Sequence, residues 1–238
     1  MLLAAACGVM ATAAAVRADD WIYTVRPGDT RWDLTRRHLK HAGYVERLQT
    51  ANHVADPHLL PPGKRLRIPL QWARRRPGAA RVVDTGGHCT VTPAGGRRPR
   101  AIRAGARLAA GDSVRCAADS YATLEFEDGS QLRVQPNSRI RLEAAWVYGD
   151  AGFFENDVSL EQGRTENAVP ANQPGRSRLH IRTPAATTSV RGTQFRVSTD
   201  HARAGTSSEV EQGTVGVAAQ RRSVEVAAGY GAFTRAGQ

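Results

Sequence analysis

Lysine, cysteine and aromatic residues are all scarce in this sequence. Lys40 and Lys64 are the two lysines among 33 basic residues, and the formal net charge is +11. Arginine therefore carries a charge that draws the protein toward polyanions, although a GC-rich coding bias is the simpler origin of the arginine itself. No basic stretch is interleaved with aromatics that could stack bases, so nucleic acid is not an expected partner. Long apolar runs are scarce too. Residues 1–18, MLLAAACGVMATAAAVRA, read as a signal peptide that lacks a positive n-region, with Val16-Arg17-Ala18 resembling a small-residue cleavage site. No later segment has the roughly 18 consecutive apolar residues of a membrane helix. The expectation is a periplasmic or otherwise secreted, cell-envelope protein with no membrane span once the leader is removed.

Loss of the leader would remove Cys7 and leave Cys89 and Cys116. In an oxidising compartment this pair either bridges or stays as two thiols, since geometry is not readable from spacing. Catalytic signatures are also missing. There is no Gly-x-Ser-x-Gly, His-Glu-x-x-His or phosphate-binding Gly-rich loop. His38 and His41 have helical i, i+3 spacing but no third metal ligand, and histidine near a helix C-terminus also suits the dipole. His88-Cys89 reads as a strand cysteine rather than a nucleophile. No enzyme activity, cofactor or metal is expected.

Three parts follow the leader. Residues 19–70 mix strand and helix, 71–80 (QWARRRPGAA) read as an Arg/Pro/Gly linker, and 81–238 read as all-β. In the first part, Trp21 to Val25 is β-rich. Thr30 is a good N-cap with Asp33 after it, Trp32, Leu34 and Leu39 supply apolar surface, and Val45, Leu48 and Ala51 share a helix face. Asp29 and Thr30 are both expected to cap that helix. Arg65 to Pro69 is a second short strand. In the long part, apolar i, i+2 pairs recur: Leu124/Phe126, Leu132/Val134 and Ile140/Leu142, then Leu179/Ile181, Phe195/Val197, Val215/Val217 and Val224/Val226. Each pair marks a strand with one buried face. Spacing alone does not separate a sandwich of hairpins from a solenoid. Ala144 to Pro174 breaks the rhythm and is expected to carry a longer loop.

"YTVRPGDTRWDL" (23–34) and "QTANHVADPHLLPPGKRLRIP" (49–69) together resemble a LysM domain. The resemblance implies a small α+β fold of strand, helix, helix, strand. It also implies binding of peptidoglycan or a related N-acetylglucosamine glycan, in a groove between the loop after the first strand and the loop before the last. By motif position the groove residues are Gly28, Asp29, Thr30 and Arg31 on one side, and Pro57, His58, Leu59 and Leu60 on the other. Gly28 permits close backbone approach. Arg31 departs from the leucine usual in the family, so an apolar contact is lost or replaced. Trp32 is expected in the core or the groove wall.

"DSYATLEFEDGSQLRVQPNSRIRL" (119–142) and "TPAATTSVRGTQFRV" (183–197) resemble a FecR-type periplasmic domain. That resemblance implies an all-β domain of stacked strands in two facing sheets, solenoid-like. Its motif residues are Thr183, Pro184, Arg191, Gly192, Thr193 and Phe195. Arg191 either contacts a partner or braces a structural corner with Gly192. The anti-sigma helical segment and membrane helix of founding members are not recognisable here. The combined expectation is a non-enzymatic envelope protein that binds peptidoglycan and presents its β-domain to an envelope protein. One alternative is a FecR-type signalling module coupling a surface receptor to sigma-factor control. Another is an accessory subunit of a cell-wall hydrolase.

Overall fold

The computed structural model describes residues 20–54, 56, 60–96, 98–149, 153–170, 177–190, 193–200, 204–219 and 222–236. The proposed leader, 1–18, lies outside them. The N-terminal part comprises β1 (Asp20–Thr24), α1 (Arg31–His38), α2 (Tyr44–Ala51) and β2 (Arg65–Pro69). β1 and β2 pair antiparallel, Trp21 opposite Ile68 and Tyr23 opposite Leu66, which turns those four side chains to one face under the helices. Thr30 caps α1 by accepting from the Asp33 amide at 3.1 Å. Trp32 departs from the expectation of packing. It is 59% exposed, because α1 turns Leu34, Thr35 and His38 inward and leaves position 32 on its outer side.

The β part runs through β3 (Arg75–Pro77), β4 (Ala80–Gly86), β5 (Cys89–Thr92), β6 (Arg100–Ala101), β7 (Arg107–Leu108), β8 (Ser113–Cys116), β9 (Tyr121–Phe126) and β10 (Gln131–Val134). It continues through β11 (Arg139–Tyr148), β12 (Phe153–Gln162), β13 (Arg164–Ala168), β14 (Ser177–Arg182), β15 (Thr187–Val190) and β16 (Gln194–Asp200). β17 (Gly205–Gln212), β18 (Thr214–Ala219), β19 (Arg222–Ala227) and β20 (Gly231–Arg235) complete it. One sheet has the order β20-β17-β16-β13-β10-β9-β4-β7, and the other β19-β18-β15-β14-β12-β11-β8-β5-β6. The chain lays a hairpin in one sheet, crosses to the other, and advances along the stack. β13 crosses alone, and for that reason β12 and β14 are parallel while every other pair is antiparallel. The apolar pairs expected from spacing face a common core, from Leu124 and Leu132 in one sheet to Ile140 and Ile181 in the other. Val224 is the exception, 53% exposed on the outermost strand of its sheet.

Two sequence expectations need correction. Within 144–174 the described residues are mostly strand. They hold the end of β11, all of β12 and all of β13. A register shift between Leu142 and Ala144 flips the alternation, so burial moves from Ile140 and Leu142 to Ala145 and Val147. A β-bulge of this kind hides a strand from a strict period of two. Residues 71–80 are not a free linker. Leu70–Trp72 form a 3₁₀ turn, Ala73 is buried and bridges to Leu39, and β3 pairs with Trp146–Tyr148 of β11. The backbone satisfies itself on both sides: Arg74 N donates to His38 O at 2.7 Å, and Gly149 N donates to Arg74 O at 2.9 Å. Two of the three consecutive arginines engage neighbours while staying exposed. Arg75 stacks 4.1 Å from the Trp146 ring and Arg76 pairs with Glu127 at 2.7 Å.

The two parts consequently share a core. Tyr148 and Phe153, from the β11–β12 hairpin, pack with Trp21, Tyr23, Leu34, Leu39 and Ile68 of the N-terminal part. Arg178 of β14 is buried there, with its guanidinium 5.2 Å from the Phe153 ring centre and donating to Asp20 O at 3.0 Å.

Candidate glycan site and the comparisons

The first loop is a turn whose chemistry is set by four consecutive residues. Arg26-Pro27-Gly28-Asp29 closes with Asp29 N donating to Arg26 O at 3.1 Å, and Gly28 has φ +82. Proline second and glycine third is the requirement of a type II turn. Nothing lies within 4 Å of where a Gly28 side chain would begin, so its backbone stands open to solvent. Asp29 does not cap α1 as the sequence suggests. Its Oδ2 accepts from the Tyr23 hydroxyl at 2.6 Å and from the Arg26 amide at 2.8 Å, and Arg37 lies 3.4 Å from Oδ1. Asp29 thus locks the turn onto β1, and the cap role falls to Thr30.

These contacts set the ionisation of the loop. Burial works to raise the Asp29 carboxyl, but the Tyr23 hydroxyl, the Arg26 amide and Arg37 outweigh it and hold it below its ordinary value. Tyr23 moves the other way. Burial first, then its bond to the Asp29 carboxylate, push it up to about 12.

The second wall is anchored to the same strand. Val25 N donates to Lys64 O, and Gly63 N donates to Val25 O. Leu60 is half-buried and packs on the core beside this wall. Pro57, His58 and Leu59 lie outside the described residues. Arg31 braces one wall to the other: Nη1 donates to Gln49 Oε1 at 2.7 Å, and Gln49 Nε2 donates to Val54 O at 3.2 Å. The position that usually carries leucine here holds a polar tie between α1, α2 and the chain after α2. Asn52 makes a further tie, with Oδ1 accepting from Arg67 N at 2.6 Å and Nδ2 donating to Arg67 O at 2.9 Å. Gln49 and Asn52 were not singled out from sequence. The "AN" of the second signature was the available sign, but the reach of Asn52 to β2 depends on tertiary placement.

In the β part, Thr183 closes the β14–β15 turn. Its Oγ1 accepts from Ala186 N at 3.0 Å and shares a 2.6 Å hydrogen bond with Thr206 Oγ1. Pro184 is exposed on that turn. Thr193 is buried and donates to Thr214 O at 3.2 Å, and Phe195 points into the core. Arg191 and Gly192 lie outside the described residues. Cys89 and Cys116, opposite each other on β5 and β8, are joined in a disulfide. Among the described residues no group of three or more His, Cys, Asp or Glu could hold a metal ion. No helix among them is long and apolar enough to cross a membrane.

Residues 23–69 match the family model described as LysM domain, and residues 112–216 match the one described as FecR protein. Two solved structures of a putative anti-sigma factor from Parabacteroides distasonis ATCC 8503 are similar to this chain. One is 15% identical with a TM-score of 0.43, the other 14% identical with 0.41. Each alignment covers 51% of this chain and 53% of that one, so this chain spans about half the length of the protein it matches. No curated protein matches.

Proposed function

We propose that this protein, a LysM domain followed by a FecR domain, anchors to the cell envelope through N-acetylglucosamine-containing glycan and holds its β-domain out to a protein partner. Both families are binding and signalling modules, and the reading is of binding without turnover. The observation that carries it is the open type II turn at Gly28. Its exposed backbone lies beside a hydroxyl (Thr30) and across from a second turn rooted on the same strand. An N-acetyl group offers one N–H, one C=O and one methyl, and a groove with backbone polar groups on one wall and Leu60 on the other suits all three. Gly28, Asp29, Thr30, Arg31, Pro57, His58, Leu59 and Leu60 form the proposed site, with Asp29 and Arg31 as positioning residues. The partner is peptidoglycan or a related polymer, and the compartment is the periplasm or another part of the envelope.

The FecR match favours a second role for the protein contact, the coupling of a surface receptor to sigma-factor control. Co-purification with a regulator encoded beside its gene would test that role.

The glycan reading is tested by sedimenting the purified chain with peptidoglycan sacculi at low and high salt, with and without soluble N-acetylglucosamine oligomers. The expected result is pelleting at both salts and release by the oligomers. Pelleting at low salt only, unaffected by oligomers, would assign the binding to the +11 charge instead.

A further inference from the structure

We infer a second binding site, for an oxyanion, on the outer face of the larger sheet beside the disulfide. Strand register places Thr90, Arg115, Arg139 and Gln162 side by side across β5, β8, β11 and β12. Their strand neighbours Cys89, Val114, Cys116 and Ile140 are buried, so this row faces outward. It lines a cavity of about 400 Å³, with His88 and Asn137 on the rim.

The two arginines are direct cross-strand partners. Like charges in that relation destabilise a sheet, because their Cβ atoms are only about 5 Å apart. Nearby acid does not compensate. Glu161 is shared, 3.8 Å from Arg139 and 3.6 Å from Arg141. Among the described residues no acidic side chain pairs with Arg115. Two guanidinium groups therefore line the cavity, and the one carboxylate near them is shared with Arg141 outside it, at a place the β5–β8 disulfide holds rigid. Guanidinium forks bind oxyanions through paired N–H donors. Thr90, Gln162 and Asn137 add neutral polar groups for the body of a ligand larger than the anion alone. The chemistry is that of a small molecule or polymer terminus carrying a phosphate or carboxylate, and it is independent of the glycan groove.

The test is thermal melting of the whole chain in inorganic phosphate, in acetate and in chloride at one ionic strength. A site with a Kd of about 1 mM predicts a rise of about 5–9 °C in 50 mM of the favoured oxyanion over chloride. Phosphate and acetate are compared to assign the group. Arg115→Gln should abolish that rise. It should also raise the melting temperature in chloride, because it relieves the like-charge pair, so lost folding cannot mimic lost binding. Equal melting in all three salts, or a rise that survives in both Arg115→Gln and Arg139→Gln, would overturn the site. A lower melting temperature of Arg115→Gln in chloride would remove its premise.

Discussion

Gly149 lies against His38. A Cβ at position 149 would stand 2.7 Å from His38 Nδ1, and Gly149 has φ +57, which side chains rarely adopt. The first residue belongs to the tip of the β11–β12 hairpin and the second to the buried end of α1. His38 is 2% exposed, with its ring 5.3 Å from Trp21 and 5.5 Å from Tyr23. The histidine that drew attention as half of an i, i+3 pair is thus part of the seam between the two domains.

Gly149→Ala should therefore loosen that seam. The clash and the backbone strain together predict a loss of about 1–3 kcal/mol, read as a lower melting temperature. An unchanged melt would mean that the hairpin tip is free to move off α1.

Phe153→Ala tests the shared core more strongly. Phe153 is 1% exposed, packs 6.5 Å from Trp21 between ring centres, and carries the Arg178 guanidinium over its ring at 5.2 Å. Truncation predicts a loss of about 3–5 kcal/mol. Calorimetry of the unaltered protein should show one transition for both domains, and the variant should melt the LysM part early. Two separate transitions in the unaltered protein would sink the idea of a common core.

That shared core marks the limit of what the sequence made legible. The strand-helix-helix-strand order and the apolar pairs of the sheets were readable because each depends on local periodicity, as with Val45 and Leu48 or Leu132 and Val134. The seam was not. Ala73 is small, Arg75 and Arg76 look solvated, and the bulge at Leu142/Ala144 erases the alternation that would have revealed β11 to its end. At the proposed glycan site, the Pro27-Gly28 turn was readable from turn chemistry alone. The Arg31–Gln49 tie spans 18 residues and needs both helices in place before it exists.

Arg31→Leu would restore the family's usual residue and remove that tie. The two walls then lose their polar brace but gain apolar surface. The expected outcome is a stability change within about 1 kcal/mol, with altered affinity for N-acetylglucosamine oligomers by titration. Identical affinity would show that Arg31 acts only within the fold.

The disulfide should be measurable directly. Non-reducing mass analysis should show the oxidised mass, and thiol labelling of Cys89 and Cys116 should fail without reductant. Closing a 27-residue separation predicts about 3–4 kcal/mol of stabilisation. Reduction should accordingly lower the melting temperature by about 6–16 °C at about 2–4 °C per kcal/mol. Quantitative labelling of the native protein would remove the bridge.

The pH dependence of stability follows from Asp29 and Tyr23 with opposite signs. The folded Asp29 pKa lies below its unfolded value of about 4. Its contribution is present above that unfolded value and is lost as pH falls through the folded one. Tyr23 is raised to about 12 against 10.0, so its contribution is complete below pH 10 and is lost as pH climbs toward 12. Asp29→Asn should lower the melting temperature at pH 7, and the gap to the unaltered protein should shrink below pH 4. Tyr23→Phe should leave a smaller loss between pH 10 and 12, with the remainder due to Tyr148, which burial and then its bond to Glu155 also push up to about 12. Curves for Asp29→Asn and the unaltered protein that stay parallel down to pH 3 would show that the turn does not depend on the ionised carboxylate. The Tyr23 hydroxyl would then hold Asp29 equally well whether the carboxyl is ionised or protonated.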